Sequence, residues 1–221
     1  MRSSPSRSRD LEAVRRDYGR LADDYERRWR TFNAAVFEWV LARWPKNLSA
    51  GARVLDLGCG TGAFLAAVAD REPALELVGL DLTPALLAQA RRRAPTARLI
   101  EGDAEAPPFK EGVFDVVCSL NVLHHLRDQK GHAAKLARLC RPRGTIFLCT
   151  FAGGRSLAMR AANAWLSLRN AAWRGMVSPA KLEQSLTRVP YVEVRDRDEL
   201  SAGAWRLQLF CLALREPPAR R

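Results

Sequence analysis

The stretch Val54-Leu55-Asp56-Leu57-Gly58-Cys59-Gly60-Thr61-Gly62 constrains this chain more than any other. A short apolar run, too brief for a helix, ends in three glycines spaced by single residues. Helical spacing of apolar residues then takes over across 63–69. A buried strand that feeds a glycine turn and a helix belongs to a parallel sheet covered by helices. The same rhythm recurs downstream. Strands are predicted at 75–80, 98–101, 114–119, 145–150, 191–197 and 205–214. Helices are predicted at 84–93 and 132–139, with another starting at Pro179 behind Ser178 as N-cap. The alternation predicts an α/β fold: a seven-stranded, mostly parallel sheet with an antiparallel last strand and helices on both faces.

Before this core, residues 11–44 carry apolar side chains at spacings of three and four (Leu21, Tyr25, Trp29, Phe32, Val36, Trp39, Val40), and Pro45 stops the pattern. The whole chain, 1–221, is read as one domain. It divides into a basic tail (1–10), N-terminal helices (11–50), a core (51–150), a lid-like insertion (151–178), and a last helix with a final strand pair (179–221). With 221 residues and 48% apolar content, such a domain buries a core without metal or disulfide staples. Its five Cys form no C-x-x-C pair and lie in apolar surroundings. They are therefore expected to be reduced thiols rather than zinc ligands or disulfides, which favours a cytoplasmic setting. No apolar run approaches the ~20 residues of a membrane span, and residues 1–9 lack the apolar stretch of a secretory signal.

Glycines at such a turn allow tight backbone geometry and close approach of a ligand, so a branched side chain at Gly58 or Gly60 is expected to fill space the ligand needs. About 20 residues on, Gly79-Leu80-Asp81 ends the next strand, where a carboxylate can hold both ribose hydroxyls. Two ligands suit this layout: a nicotinamide dinucleotide and S-adenosylmethionine. A tight turn without a ligand is the third reading. Asp56 tips the balance. Beside a pyrophosphate it would meet like charge, at a cost of ~1–4 kcal/mol. S-adenosylmethionine instead brings an ammonium and a sulfonium, which Asp56 attracts. Further along, Asp103 is placed to accept from an adenine amino group, with the Ala104 N–H on a ring nitrogen.

In order along the chain, Val54–Gly62, Val78–Thr83, Glu101–Pro107, Phe114–Leu126 and Leu139–Leu148 resemble the class I S-adenosylmethionine-dependent methyltransferases. The likeness is to their small-molecule branch, which includes the ubiquinone and menaquinone methyltransferases. It covers 51–150 well and the flanks only loosely. It implies a Rossmann-like seven-stranded sheet and S-adenosyl-L-methionine as cofactor. Contacts would come from Asp56, Gly58, Cys59, Gly60, Asp81, Leu82, Asp103, Ala104, Ser119 and Asn121. Tyr18 and Tyr25, seven apart on one helical face, would close over the cofactor, as an N-terminal helix does in similar enzymes.

For chemistry, the candidates lie in Asn121-Val122-Leu123-His124-His125. A helical turn from Asn121 puts Asn121 and His125 on one face toward the transferred methyl, with His124 roughly 100° away. Either imidazole could remove a proton or merely pack. In the resembled family the insertion after the fifth strand covers the methyl acceptor. Here residues 155–174 hold Trp165 and Trp173 amid Arg, which suits an aromatic or lipophilic acceptor and also contact with an anionic membrane surface. The formal charge of +12 raises a rival, a nucleic-acid methyltransferase. The sequence after the fourth strand, Ser119-Leu120-Asn121-Val122, lacks the Asp/Asn-Pro-Pro-Tyr/Phe stretch that grips a flipped base, and this argues against nucleic acid. A cofactor-binding protein without catalysis is the other rival.

Overall fold

The computed structural model describes residues 5–153, 157–169, 173–202 and 205–216. Helix α1 (Pro5–Ala42) leads into β1 (Arg53–Leu57), α2 (Ala63–Arg71), β2 (Glu76–Asp81), α3 (Pro84–Arg93), β3 (Arg98–Glu101) and β4 (Phe114–Leu120). A short 3-10 turn (Leu123–His125) precedes α4 (His132–Leu139) and β5 (Cys140–Phe151). Then come α5 (Leu157–Arg169), α6 (Pro179–Thr187), β6 (Val192–Ala202) and β7 (Trp205–Leu214). The seven strands form one sheet in the order β3-β2-β1-β4-β5-β7-β6. Strands β1 to β5 pair in parallel, and β7 runs antiparallel to both β5 and β6. This is the sheet the alternation predicts.

Alternate side chains feed two cores. Val54, Val116 and Phe147 point into one, Leu55, Val117 and Ile146 into the other, and all six are fully buried. Strands covered on both faces read as continuous apolar runs, which is why β1, β4 and β5 were visible in the sequence. Local chemistry sets several boundaries. Pro84 opens α3, whereas Ser178 caps α6 by accepting from the Lys181 N–H, with Pro179 in the first turn. The N-terminal region is one continuous helix of 38 residues, reaching back to Pro5 rather than breaking into several. Only its second half carries the deep apolar stripe, through Phe32, Val36, Trp39 and Val40. The insertion helix is shorter than its pattern suggests. Its described part is Leu157–Arg169, and residues 173–176 belong to no helix or strand before Val177 bridges Ala152.

Parallel pairing brings the carboxyl ends of β1, β2, β3 and β4 to one edge, where open α/β sheets place their ligands. Helix α1 crosses that edge, anchored by the residue just past its end: Trp44 stacks on Phe147, with ring centroids 5.8 Å apart and planes within 4°. Trp44→Ala should therefore cost about 3–5 kcal/mol of stability, the usual penalty for emptying a large aromatic site. Denaturant unfolding checks this, and a loss below 1 kcal/mol would show that α1 is held elsewhere.

Candidate active site

Strand β2 ends at Asp81, whose carboxylate accepts from the Gly60 N–H through Oδ2 and from the Thr83 N–H through Oδ1, each at 2.8 Å. The Leu80 carbonyl accepts from Gly58 and Cys59 N–H. The glycine turn after β1 is thus folded onto the end of β2 by its own backbone donors. Gly58 and Gly60 both hold positive φ, at 86° and 52°. Their surroundings differ. A Cβ on Gly60 meets nothing within 4 Å, so that glycine faces open space. A Cβ on Gly58 would run into Cγ2 of Val122, so Gly58 is required by the protein's own packing and not only by a ligand. This corrects the expectation that both glycines equally guard ligand space.

Three recesses surround the turn. The first is lined by Gly60, Asp81, Leu82, Asp103, Ala104 and His125, among others. The second is lined by Asp56, Cys59, Gly60, Thr61 and Asn33. The third is apolar, walled by Leu21, Trp29, Phe32, Phe151, Leu166 and Trp173, with His124 and Asn33 as polar members. Tyr25 and Asn121 line all three, and Tyr18 lines the first and third. Asn121 holds this junction in a left-handed conformation, φ 61°, with its N–H on the Cys149 carbonyl. An Asn tolerates that conformation better than most residues.

The expected helical turn starts at Leu123, not Asn121, and the two histidines face different recesses. His125 turns to the first recess, with Nε2 2.6 Å from the Tyr18 hydroxyl. His124 faces the apolar recess, packed against Phe151 and Trp173 at centroid distances of 4.8 and 4.7 Å. Burial lowers the His124 pKa well below the ordinary value, helped by His125, so its imidazole is neutral. Its buried Nδ1 makes no hydrogen bond among the described residues. Tyr18 is held a neutral phenol, first by burial and then by Tyr25 and the nearby carboxylates.

Asp56 is buried in the second recess, and no ion pair or hydrogen bond engages its carboxylate among the described residues. Burial, reinforced by Asp81, raises its pKa to about 7. Asp81 is raised too, by burial, against the opposing pull of the N–H groups it accepts from. Ser119 is a correction: it is fully buried, 2.9 Å from Nε2 of His132, and lines none of the recesses. The two tryptophans of the insertion also part company. Trp173 walls the apolar recess, whereas Trp165 is 56% exposed and lies outside it; residues 154–156 and 170–172 of that segment lie outside the described residues. Sequence reasoning missed Asn33 and Phe151. The signal for Asn33 was present: it follows Tyr25 and Trp29 by eight and four residues, a polar group on the buried face of α1.

Residues 55–148 match the family described as "Methyltransferase domain". The stretch is thus similar to a methyltransferase domain, and it forms the central part of the seven-stranded sheet. Over 128 residues the chain is 34% identical to a demethylmenaquinone methyltransferase of Thermus thermophilus, covering 56% of this chain and 54% of that protein. Over 118 residues it is 36% identical to a malonyl-[acyl-carrier protein] O-methyltransferase of Legionella pneumophila, covering 50% and 40%. The chain thus spans about half or less of these relatives' own length. Among solved structures, the geranyl diphosphate C-methyltransferase of Streptomyces coelicolor superposes with a TM-score of 0.69 at 13% identity. That superposition covers 84% of this chain and 80% of that one, and it supports the fold.

The buried carboxylate has a consequence for the protein alone. An acid whose folded pKa is raised contributes stability that is complete below its unfolded pKa, near 4, and lost as pH rises through the folded value, about 7. Asp56→Asn removes that loss. Relative to wild type, the variant should gain stability between pH 5 and pH 8, by up to about 3 kcal/mol. Urea unfolding at the two pH values measures the difference, and a pH-independent difference would mean Asp56 is not ionising in the folded protein.

Proposed function

We propose that this chain is a small-molecule methyltransferase that takes its methyl group from S-adenosyl-L-methionine. The observation that carries the reading is the junction at Tyr25 and Asn121, where two recesses that flank the glycine turn and carry Asp56, Asp81 and Asp103 meet a third walled by aromatic rings. Bound there, the cofactor supplies an electrophilic methyl group on a sulfonium. The residues present fit it. Asp56 is a buried carboxylate with no cation of its own among the described residues, as an ammonium-bearing ligand requires. Asp81 presents its buried carboxylate to the first recess, at the strand end where ribose hydroxyls would lie. Asp103 and Ala104 stand at the far end of the first recess for an adenine edge.

The methyl acceptor occupies the apolar recess. Trp29, Phe32, Phe151 and Trp173 offer ring faces and edges that fit an aromatic or lipophilic molecule and exclude water from the reacting atoms. Of the two relatives named above, one acts on demethylmenaquinone, in keeping with such an acceptor. His124 offers the neutral Nδ1 to a hydroxyl or acidic C–H of the acceptor, as hydrogen-bond acceptor or base. In-line displacement asks little more of the protein than this positioning.

Transfer of labelled methyl from S-adenosylmethionine into an extract of small metabolites tests the reading. A labelled lipophilic product supports it. Binding without transfer would leave a non-catalytic cofactor protein, and label in nucleic acid would overturn the acceptor class. Gly60→Val should abolish cofactor binding in calorimetry, because its side chain enters the open recess. Asp81→Ala should weaken binding by about 1.5–3 kcal/mol, the worth of charge-assisted hydrogen bonds. Cofactor affinity should also fall as pH drops below about 7, where Asp56 takes up a proton, and Asp56→Asn should flatten that dependence. Tight binding of a nicotinamide dinucleotide in the same titration would defeat the assignment.

A further inference from the structure

The span from Gln129 to Leu182 holds ten Lys or Arg and no Asp or Glu. The fold concentrates part of it on one surface. Along α5, Ala161, Ala164, Trp165 and Leu168 are all exposed, Leu168 to 87%. Spacings of three, one and three put them on a single stripe of the helix. The opposite side of α5 is pinned inward. Asn163 accepts from Trp173 Nε1 at 2.8 Å and from the Met176 N–H, and Leu166 packs on the core. The helix therefore has a fixed inner side and an apolar outer one, the reverse of the usual surface helix.

A basic recess borders this stripe, between α5, α6 and the turn before α4. Lys130, Arg160, Lys181 and Arg188 line it, and no carboxylate does. Among the described residues none of these four cations is engaged in an ion pair. Elsewhere on the surface, arginines are mostly matched, as in Arg43–Asp196, Arg197–Glu183 and Arg215–Glu193.

We propose that the outer stripe of α5 and the adjoining basic recess dock this protein onto an anionic phospholipid bilayer. Trp and Leu insert among the headgroups while the recess takes lipid phosphates, the arrangement of an interfacial amphipathic helix. Charge complementarity selects this occupant. A second copy would bring two acid-free surfaces together. A nucleic acid would satisfy the cations but leave Leu168 against phosphate. Among the described residues no helix is long and apolar enough to cross a membrane, and docking requires none. The docking does not depend on the methyl-transfer reading. If that reading also holds, Leu166 and Trp173 set the acceptor recess directly behind the bilayer surface.

Sedimentation with vesicles of phosphatidylcholine containing about one-third phosphatidylglycerol, against pure phosphatidylcholine, tests the proposal. The full chain should bind the anionic vesicles at least about tenfold more tightly. Trp165→Ser with Leu168→Ser, and separately Lys181→Gln with Arg188→Gln, should each lower that binding about tenfold with unchanged melting temperature. All four positions lie outside the proposed cofactor and acceptor recesses, so cofactor affinity should stay as in wild type. Equal binding to both vesicle types, no binding to either, or full binding by both variants overturns the proposal. So does a change from dimer to monomer in the Trp165/Leu168 variant on gel filtration without any vesicle effect, which would make the stripe an interface between copies.

Discussion

One carboxylate ties the working edge of this protein together. Asp81 accepts the Gly60 N–H from the β1–α2 turn and the Thr83 N–H from the start of α3. Those donors belong to two neighbouring segments, and the Leu80 carbonyl, accepting from Gly58 and Cys59, adds to the same junction. The bonds cost the carboxylate its contact with water, since it is buried, and the backbone dipoles offset only part of that. The recesses on either side of Gly60 have their shape because this side chain holds the turn against β2. Asp81 is thus a structural staple in its own right.

Asp56 shows the opposite balance. It is buried beside Asp81 with no compensating cation among the described residues, so its ionised form weighs against the fold. Nothing in the packing requires a carboxylate there, and an asparagine would fill the same volume. A group that harms the empty protein and suits a cationic ligand is what a binding site looks like when function has been placed above stability.

How much could be read from the sequence follows from which interactions decide each feature. The β1 strand with its turn, α3 opened by Pro84, β3, α4 and the Ser178-Pro179 start of α6 were legible, because local backbone chemistry and apolar periodicity determine them. The seven-stranded, mostly parallel sheet followed from the alternation. Less legible were features set by distant neighbours. Gly58 and Gly60 read alike in sequence, yet only one meets Val122. Trp165 and Trp173 belong to one Trp/Arg pattern, and one is exposed while the other stacks on His124. Ser119 lies two residues before Asn121, yet it is buried against His132, while Asn121, past the end of β4 and in a left-handed conformation, lines the recesses. The left-handed Asn121 is followed by a turn that starts two residues later than the spacing suggests, and the two histidines part into different recesses.

The sheet order leaves β3 and β6 at the two margins, and their lengths differ: four residues against eleven. A long marginal strand is a template for pairing with another chain. β6 is defended by charge. Glu193, Arg195, Asp196, Arg197, Asp198 and Glu199 crowd it, the register shifts between Val194 and Asp196, and bonds from Trp39, Arg43, Arg206 and Arg215 tie several of its acids down. A bulge and alternating charge make in-register stacking of identical strands expensive. The same row of acids that closes the fold on α1 therefore also works against margin-to-margin pairing of copies of this chain.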